Sequence, residues 1–74
     1  MPSIDTIATG NRIRTLRERA GMKIADVQRA CGGISANAVC KWQRGEAMPS
    51  IDNLVILASI FGVQLDEIVV TRVI

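Results

Sequence analysis

The stretch "CGGISANAVCKWQRGE", residues 31–46, decides the fold of this chain. Two adjacent glycines end one helical segment, and the hydroxyl of Ser35 can cap the next by accepting a hydrogen bond from a free backbone amide. At helical spacing, Ala38, Val39 and Trp42 fall on one apolar stripe, which we expect to face the core. The opposite side of this helix is polar, so it is either solvated surface or a binding surface.

The composition predicts a small helical domain with an aliphatic core. The 74 residues are 49% hydrophobic but include one Phe, one Trp and no Tyr, so Ile, Leu, Val and Ala must fill the interior. No apolar run approaches the roughly 18 residues of a membrane-spanning helix. The N-terminus also lacks the pattern of a signal peptide. We therefore expect a soluble, cytoplasmic protein with no membrane partner.

Apolar spacing and glycine stops predict an all-α domain of five helices. The expected helical segments are residues 9–21, 23–31, 35–45, 50–61 and 63–68. Residues 1–8 are expected to form a flexible N-terminal arm, and residues 71–74 a tail. Residues 9–70 then form the folded domain.

The fourth helix is apolar on nearly every side. Its predicted inward stripe is Ile51, Leu54, Val55, Ala58 and Phe61. Ile56 and Ile60 point away from that stripe, and a helix that is apolar all round is usually buried on both sides. We therefore expect a homodimer interface at this surface. The residues predicted to form it are Ile56, Ile60, Leu65, Val69 and Val70.

Two short helices joined by a glycine-bearing turn are typical of a helix-turn-helix. A helix reads the DNA major groove best when short side chains near its N-terminal half let its backbone approach the base edges. Ser35, Ala36 and Asn37 have this character. Asn37 can bond adenine through N6 and N7, Ala36 can contact a thymine methyl, and Lys41 can reach a guanine or a phosphate. The polar side of the third helix is thus a candidate base-reading surface.

The charge distribution favours a polyanionic partner. Residues 12–23 carry five basic side chains against one acidic, a net +4, whereas residues 48–74 carry one basic against three acidic, a net −2. Arg44, at the end of the third helix, suits a phosphate better than a base, and Cys40 on the same face can make a soft apolar contact. The same charges and periodicity also fit ordinary solvated helix faces.

Three sequence stretches carry a family resemblance: "KWQRG" at 41–45, "PSIDNLVILA" at 49–58 and "GVQLDEI" at 62–68. With them, the chain from about Arg12 to Ile68 resembles the Cro/lambda-repressor type of helix-turn-helix domain, the xenobiotic-response-element (XRE) family. The resemblance implies five helices, sequence-specific binding of double-stranded DNA, and dimers on palindromic sites. It implies base reading by Ser35, Ala36, Asn37 and Lys41, and phosphate contacts by Arg44 and by Lys23 at the start of the second helix.

The chain departs from the family pattern around the turn. Lys23 and Ile24 stand where many members have a polar cap and a phosphate-binding glutamine. The turn is one residue longer than usual, and Gln28 replaces a small alanine, so we expect the longer turn to accommodate Gln28. Gln43 replaces a glutamate that often pairs with Arg17. A hydrogen bond then replaces an ion pair, which favours a phosphate contact by Arg17.

Two functions remain compatible with these observations. The first, which we favour, is a dimeric, repressor-like DNA-binding regulator, because the outward residues of the third helix suit base reading. The second is a protein-interaction module that keeps the fold without tight DNA binding, for example an antitoxin or a complex component. The modest net charge, the missing glutamine and the apolar fourth helix favour the second.

No constellation of residues indicates an enzyme. The chain has no histidine and no glycine-rich phosphate loop, and its two cysteines, Cys31 and Cys40, cannot supply the ligand set of a zinc site. We therefore expect no cofactor, no metal and no small-molecule ligand. Both cysteines are expected as reduced thiols, with Cys31 buried as a small apolar residue.

Overall fold

The structure is a computed structural model that describes residues 1–73. Over this range it holds four α-helices: α1 (Thr6–Arg19), α2 (Ile24–Ala30), α3 (Ala36–Arg44) and α4 (Ile51–Phe61). A single 3-10 turn, Leu65–Glu67, follows α4, and two strands, β1 (Pro2–Ile4) and β2 (Thr71–Val73), lie at the ends. The prediction of an all-α domain with five helices was therefore wrong in its last helix and at both termini.

The expected fifth helix is a single turn of 3-10 helix, Leu65–Glu67. The amides of Ile68 and Val69 both donate to Leu65 O, at 3.0 and 3.1 Å. Ile68 itself is fully buried. The segment thus anchors one apolar side chain in the core without continuing as a helix.

The two chain ends pair with each other as antiparallel strands. Pro2 lies opposite Val73 and Ile4 opposite Thr71. Residues 1–8, expected as an arm, therefore hold a strand and the first turn of α1, and residues 71–73 of the expected tail form the second strand. Ile74, the last residue of that tail, lies outside the described residues.

Asp5 and Thr9 explain why α1 begins earlier than predicted. Asp5 Oδ1 accepts from the amide of Ala8 at 3.0 Å and caps the helix, while the Asp5 amide donates to Val70 O at 2.8 Å. Thr9 is fully buried, and its hydroxyl accepts from the Val70 amide at 2.9 Å. Arg12 Nη1 donates to Glu67 O at 2.8 Å. These bonds fasten the C-terminal segment along α1.

The core lies between α1, α2, α3 and α4. Its fully buried aliphatic side chains are Ile13, Val27, Val39, Leu57 and Ile68. Trp42 packs into the same cluster and is nearly buried. No helix among residues 1–73 has the length and apolar character needed to cross a membrane.

The inward face of α4 differs from the prediction. Leu54, Leu57 and Ala58 are buried, whereas Ile51 is 74% exposed and Val55 is 52% exposed. The buried positions follow the i, i+3, i+4 spacing of a single helical face. Leu54 and Ala58 were predicted correctly, but because most residues of α4 are apolar, periodicity alone turned the face toward Ile51 and Val55 and missed Leu57.

Candidate nucleic-acid interface

The ends of α3 are set by the residues that the sequence indicated. Ser35 Oγ accepts from the amide of Ala38 at 3.1 Å and caps the N-terminus. At the other end Gly45 adopts φ 76°, the left-handed conformation that glycine takes without steric cost. The amide of Gly45 donates to Trp42 O at 3.1 Å. The predicted start and stop of this helix are confirmed.

Close packing against α1 holds α3 in place. A Cβ atom added to Gly10 would lie 2.3 Å from Trp42 O and 2.7 Å from Gln43 O, so only glycine allows this approach. Val39 and Trp42 then point into the core. The backbone of α3 is thus fixed from behind, and its other side is left to solvent.

The predicted base-reading residues lie together on the solvent side of α3. Ser35, Ala36, Asn37 and Lys41 are all exposed, and Arg44 continues the same face one turn beyond Lys41. Asn37 and Arg44 are seven residues apart, which at 1.5 Å rise per residue is about 10 Å along the helix. Ser35 differs from the rest, because its hydroxyl already accepts the capping hydrogen bond.

The turn before α3 accommodates Gln28. Gly32 and Gly33 have φ values of 80° and 84°, and the amide of Gly33 donates to Gln28 O at 2.8 Å. Gln28 Nε2 donates to Ile34 O at 3.0 Å. The side chain therefore bonds to the longer turn, as predicted, and helps to fix the direction in which α3 starts.

Arg17 makes the hydrogen bond expected from the Gln43 replacement. Arg17 Nε donates to Gln43 Oε1 at 3.0 Å, and Arg17 Nη1 donates to Met22 O at 2.9 Å. The side chain is half-buried and joins the end of α1, the segment before α2 and the end of α3. Arg17 therefore has a structural task that the sequence indicated only in part.

The start of α2 presents Lys23 to solvent. The backbone amide of Lys23 donates to Asp26 Oδ2 at 2.7 Å. This hydrogen bond, together with the charge of nearby Arg29, lowers the pKa of Asp26. The carboxylate thus takes the place of a side-chain cap, and it leaves the Lys23 side chain exposed at the helix N-terminus.

Sequence reasoning missed Glu46. Arg44 Nε donates to the Glu46 carboxylate across the Gly45 turn, and the two side chains are 52% and 53% exposed. This hydrogen bond and the charge of Arg44 lower the pKa of Glu46, and the charge of Lys41 acts in the same direction. The same pair raises the pKa of Arg44. The sequence feature that could have indicated this pair is an acidic residue two positions after Arg44, a candidate phosphate contact.

Four of the five residues predicted to form a dimer interface, including Val70, are half-buried and so less accessible than predicted. Ile56, Ile60 and Val69 are half-buried and pack against the core, and only Leu65, at 42% exposure, is open to solvent. They flank the buried Leu57 face rather than oppose it. The exposed apolar residues of α4 are instead Ile51 and Val55.

The two cysteines differ in environment. Both are free thiols; Cys31 is buried, as predicted, and Cys40 is half-buried on the edge of the α3 outer face. Burial raises the pKa of the Cys31 thiol. Among residues 1–73, no group of three or more potential ligands is placed to hold a metal ion.

Helices α2 and α3 are joined by a short glycine-containing turn. One side of α3 packs against the core, and the other side is exposed. This arrangement defines a helix-turn-helix domain. The helix-turn-helix family HTH_3 matches residues 13–68, which is most of the chain. The chain belongs to this Cro/C1-type, or XRE, family of DNA-binding transcription regulators. A search of curated proteins found no match.

Solved structures share this fold. The restriction-modification controller protein C.AhdI from Aeromonas hydrophila superposes with a TM-score of 0.75 at 25% identity, covering 86% of this chain and 96% of that chain. The DNA-binding domain of BldD superposes with a TM-score of 0.71 at 24% identity, covering 88% and 93%. The S. venezulae BldD DNA-binding domain has the same TM-score and identity and is covered to 96%.

Proposed function

We propose that this protein is a sequence-specific, repressor-like regulator that reads the DNA major groove with α3. The observation that carries the proposal is the shared exposed face of Ala36, Asn37, Lys41 and Arg44, opposite the buried Val39. A helix fixed from behind, with short side chains at its start, can bring its backbone close to base edges.

Each residue of this face has a defined task in the proposal. Asn37 forms the paired hydrogen bonds that distinguish adenine, and Ala36 contacts a thymine methyl. Lys41 donates to a guanine or an adjacent phosphate. Ser35 contacts a base edge by its hydroxyl proton, because its oxygen is the capping acceptor.

Phosphate contacts complete the interface. Arg44 and Lys23 lie at opposite ends of the helix pair, at the end of α3 and the start of α2, and both side chains are exposed. Arg17 contacts a phosphate with its remaining N–H donors, while Nε and Nη1 keep their hydrogen bonds to Gln43 Oε1 and Met22 O. Such contacts position the protein on the duplex without reading sequence.

A homodimer is part of the proposal. A two-fold dimer places two recognition helices in successive major-groove turns, about 34 Å apart. The exposed apolar surface available for such an interface consists of Ile51, Val55 and Leu65. It is extended by the exposed parts of three half-buried residues, Ile56, Ile60 and Val69. Exposed apolar side chains of this size favour a protein partner when they lie together.

The solved relatives support DNA binding as the general task. C.AhdI is a restriction-modification controller protein, and the two BldD structures are DNA-binding domains. The BldD likeness, at 24% identity, supports the fold, and the residues of α3 support the function. The competing function is a protein-interaction module, which the exposed Ile51 and Val55 favour.

Selection from random duplex DNA tests the proposal. The purified protein is incubated with the pool at moderate salt, and the retained DNA is sequenced over several rounds. An enriched, two-fold symmetric motif is the expected result. A folded protein that enriches no sequence would contradict specific DNA reading and favour the interaction module.

A further inference from the structure

The end of α3 carries an acidic residue where the proposed function requires positive charge. The Glu46 carboxylate accepts from Arg44 Nε, and the Glu46 amide donates to Lys41 O at 2.9 Å, so the residue is folded back against the helix end. The charge of Lys41 also contributes to lowering the pKa of Glu46. A carboxylate thus lies at the C-terminal end of the candidate DNA face, paired with Arg44.

We propose that Glu46 is an internal competitor of the DNA phosphate for Arg44. The inference rests on the proposed function and adds a control of affinity to it. In the free protein the Arg44 guanidinium already has an anionic partner. DNA binding must exchange that partner for a phosphate, and the displaced carboxylate then stands near the negatively charged backbone.

The exchange changes the affinity for DNA by a modest factor, because the Arg44–Glu46 pair is charged but exposed. Exposed ion pairs contribute modestly to stability, so the protein can break this one without unfolding. A phosphate contact acts on all sequences alike, so a competitor for it weakens specific and non-specific binding by the same factor. The effect is to lower the affinity for all duplex DNA and to leave the ratio of specific to non-specific binding unchanged.

Glu46→Gln removes the charge and keeps the shape. Glu18→Gln is the matched control, because Glu18 forms a similar exposed pair with Arg14 on α1, at 3.6 Å, and its replacement changes the net charge equally. Binding to a labelled duplex of mixed sequence is measured by fluorescence anisotropy between about 50 and 200 mM salt. Circular dichroism confirms that each variant is folded.

We expect Glu46→Gln to bind about 1.5- to fivefold more tightly than the wild type, the range that one exposed pair allows. The slope of log affinity against log salt should become steeper by no more than about 0.9, because the competition affects at most one phosphate contact. Glu18→Gln should change both quantities much less. In an Arg44→Ala background, Glu46→Gln should gain no more than Glu18→Gln does.

Two results would overturn the inference while leaving the proposed function intact. The first is equal behaviour of Glu46→Gln and Glu18→Gln in a wild-type protein that binds DNA. The second is a Glu46→Gln gain that persists without Arg44, since simple repulsion by the carboxylate would then explain it. A folded wild type and Glu46→Gln variant that both fail to bind DNA would overturn the proposed function and the inference together.

Discussion

Helices α3 and α4 begin and end with the same chemistry but present different surfaces. Ser35 Oγ and Ser50 Oγ each accept from an amide three residues later, at 3.1 and 3.2 Å. Gly45 and Gly62 each end their helix at a left-handed φ, 76° and 70°. The outer side of α3 is polar and basic, whereas that of α4 exposes Ile51 and Val55.

The comparison separates two roles of sequence. Caps and glycine stops determine where a helix lies along the chain, and they are interchangeable between the two helices. The outward side chains determine the partner: short polar residues and cations suit nucleic acid, and branched aliphatic residues suit protein. If this division is correct, substitutions on the inner face, outer face and ends should have separable effects.

The largest effect is expected from the inner face of α3. Trp42→Ala removes the nearly buried indole and should cost about 3–5 kcal/mol of unfolding free energy, enough to unfold much of a domain this small. Its neighbour Lys41 is exposed, so Lys41→Ala should stay within about 0.5 kcal/mol. Urea denaturation followed by circular dichroism measures both. Equal losses would contradict the assignment of inner and outer faces.

The outer face of α3 should affect sequence preference rather than stability. Asn37→Ala should cost about 1–3 kcal/mol of binding free energy at one base position of the selected motif. Asn11→Ala, an exposed asparagine on α1, is the matched control and should leave the motif unchanged. Competition with single-base variants of the selected duplex measures the loss. An unaltered preference in Asn37→Ala would remove Asn37 from the base contacts.

The outer face of α4 should affect association between copies. Val55→Asp places a charge in the proposed two-fold interface, where each copy meets its counterpart, and should raise the dimer dissociation constant by about tenfold, or 1.4 kcal/mol. Thr15→Asp is the control, because it adds the same charge to the exposed surface of α1, outside the proposed interface. Sedimentation equilibrium distinguishes the two variants. A wild type that is monomeric at all concentrations would refute the dimer.

The helix ends should behave alike in stability and differ in binding. Ser35→Ala and Ser50→Ala each remove one capping acceptor and should each cost about 1 kcal/mol of unfolding free energy. Only Ser35 lies on the proposed base-reading face, so only Ser35→Ala should also change the selected motif. Thermal unfolding and DNA selection of both variants test this. A change of motif in Ser50→Ala alone would reverse the roles given to the two helices.

The sequence predicted α3 well because its residues differ strongly from one side to the other. Val39 and Trp42 contrast with Asn37 and Lys41, and the Ser35 cap and Gly45 stop are local signals. On α4, where apolar residues occupy both sides, the same pattern predicted Leu54 and Ala58 correctly but missed Leu57 and placed Ile51 and Val55 inward. Periodicity carries information only where the two sides differ.

Contacts between distant parts of the chain could not be predicted in this way. The pairing of Ile4 with Thr71 and the hydrogen bonds of Thr9 to Val70 join opposite ends of the sequence. Local propensity at either end indicates an extended or helical segment but not its partner. The close approach of Gly10 to Trp42 O could not be predicted either. From the local sequence, a glycine within a helix indicates only a lower helix propensity.

The smallest perturbation, modification of a thiol, can map the DNA face without changing the fold. Cys31 is buried and its pKa is raised, so it should react slowly with iodoacetamide at neutral pH, where its thiolate is scarce. Cys40, at the edge of the α3 outer face, should react faster. Mass spectrometry after timed alkylation gives both rates, and the Cys40→Ala variant assigns the fast site.

The selected duplex should slow the alkylation of Cys40 severalfold and leave the rate at Cys31 unchanged. A duplex of unrelated sequence at the same salt is the control for weak, sequence-independent contact. Because the helix must enter the groove for Cys40 to be covered, this protection reports insertion of α3 rather than attraction of charge alone. Unchanged Cys40 reactivity in a saturated complex would place the DNA on another surface of the domain.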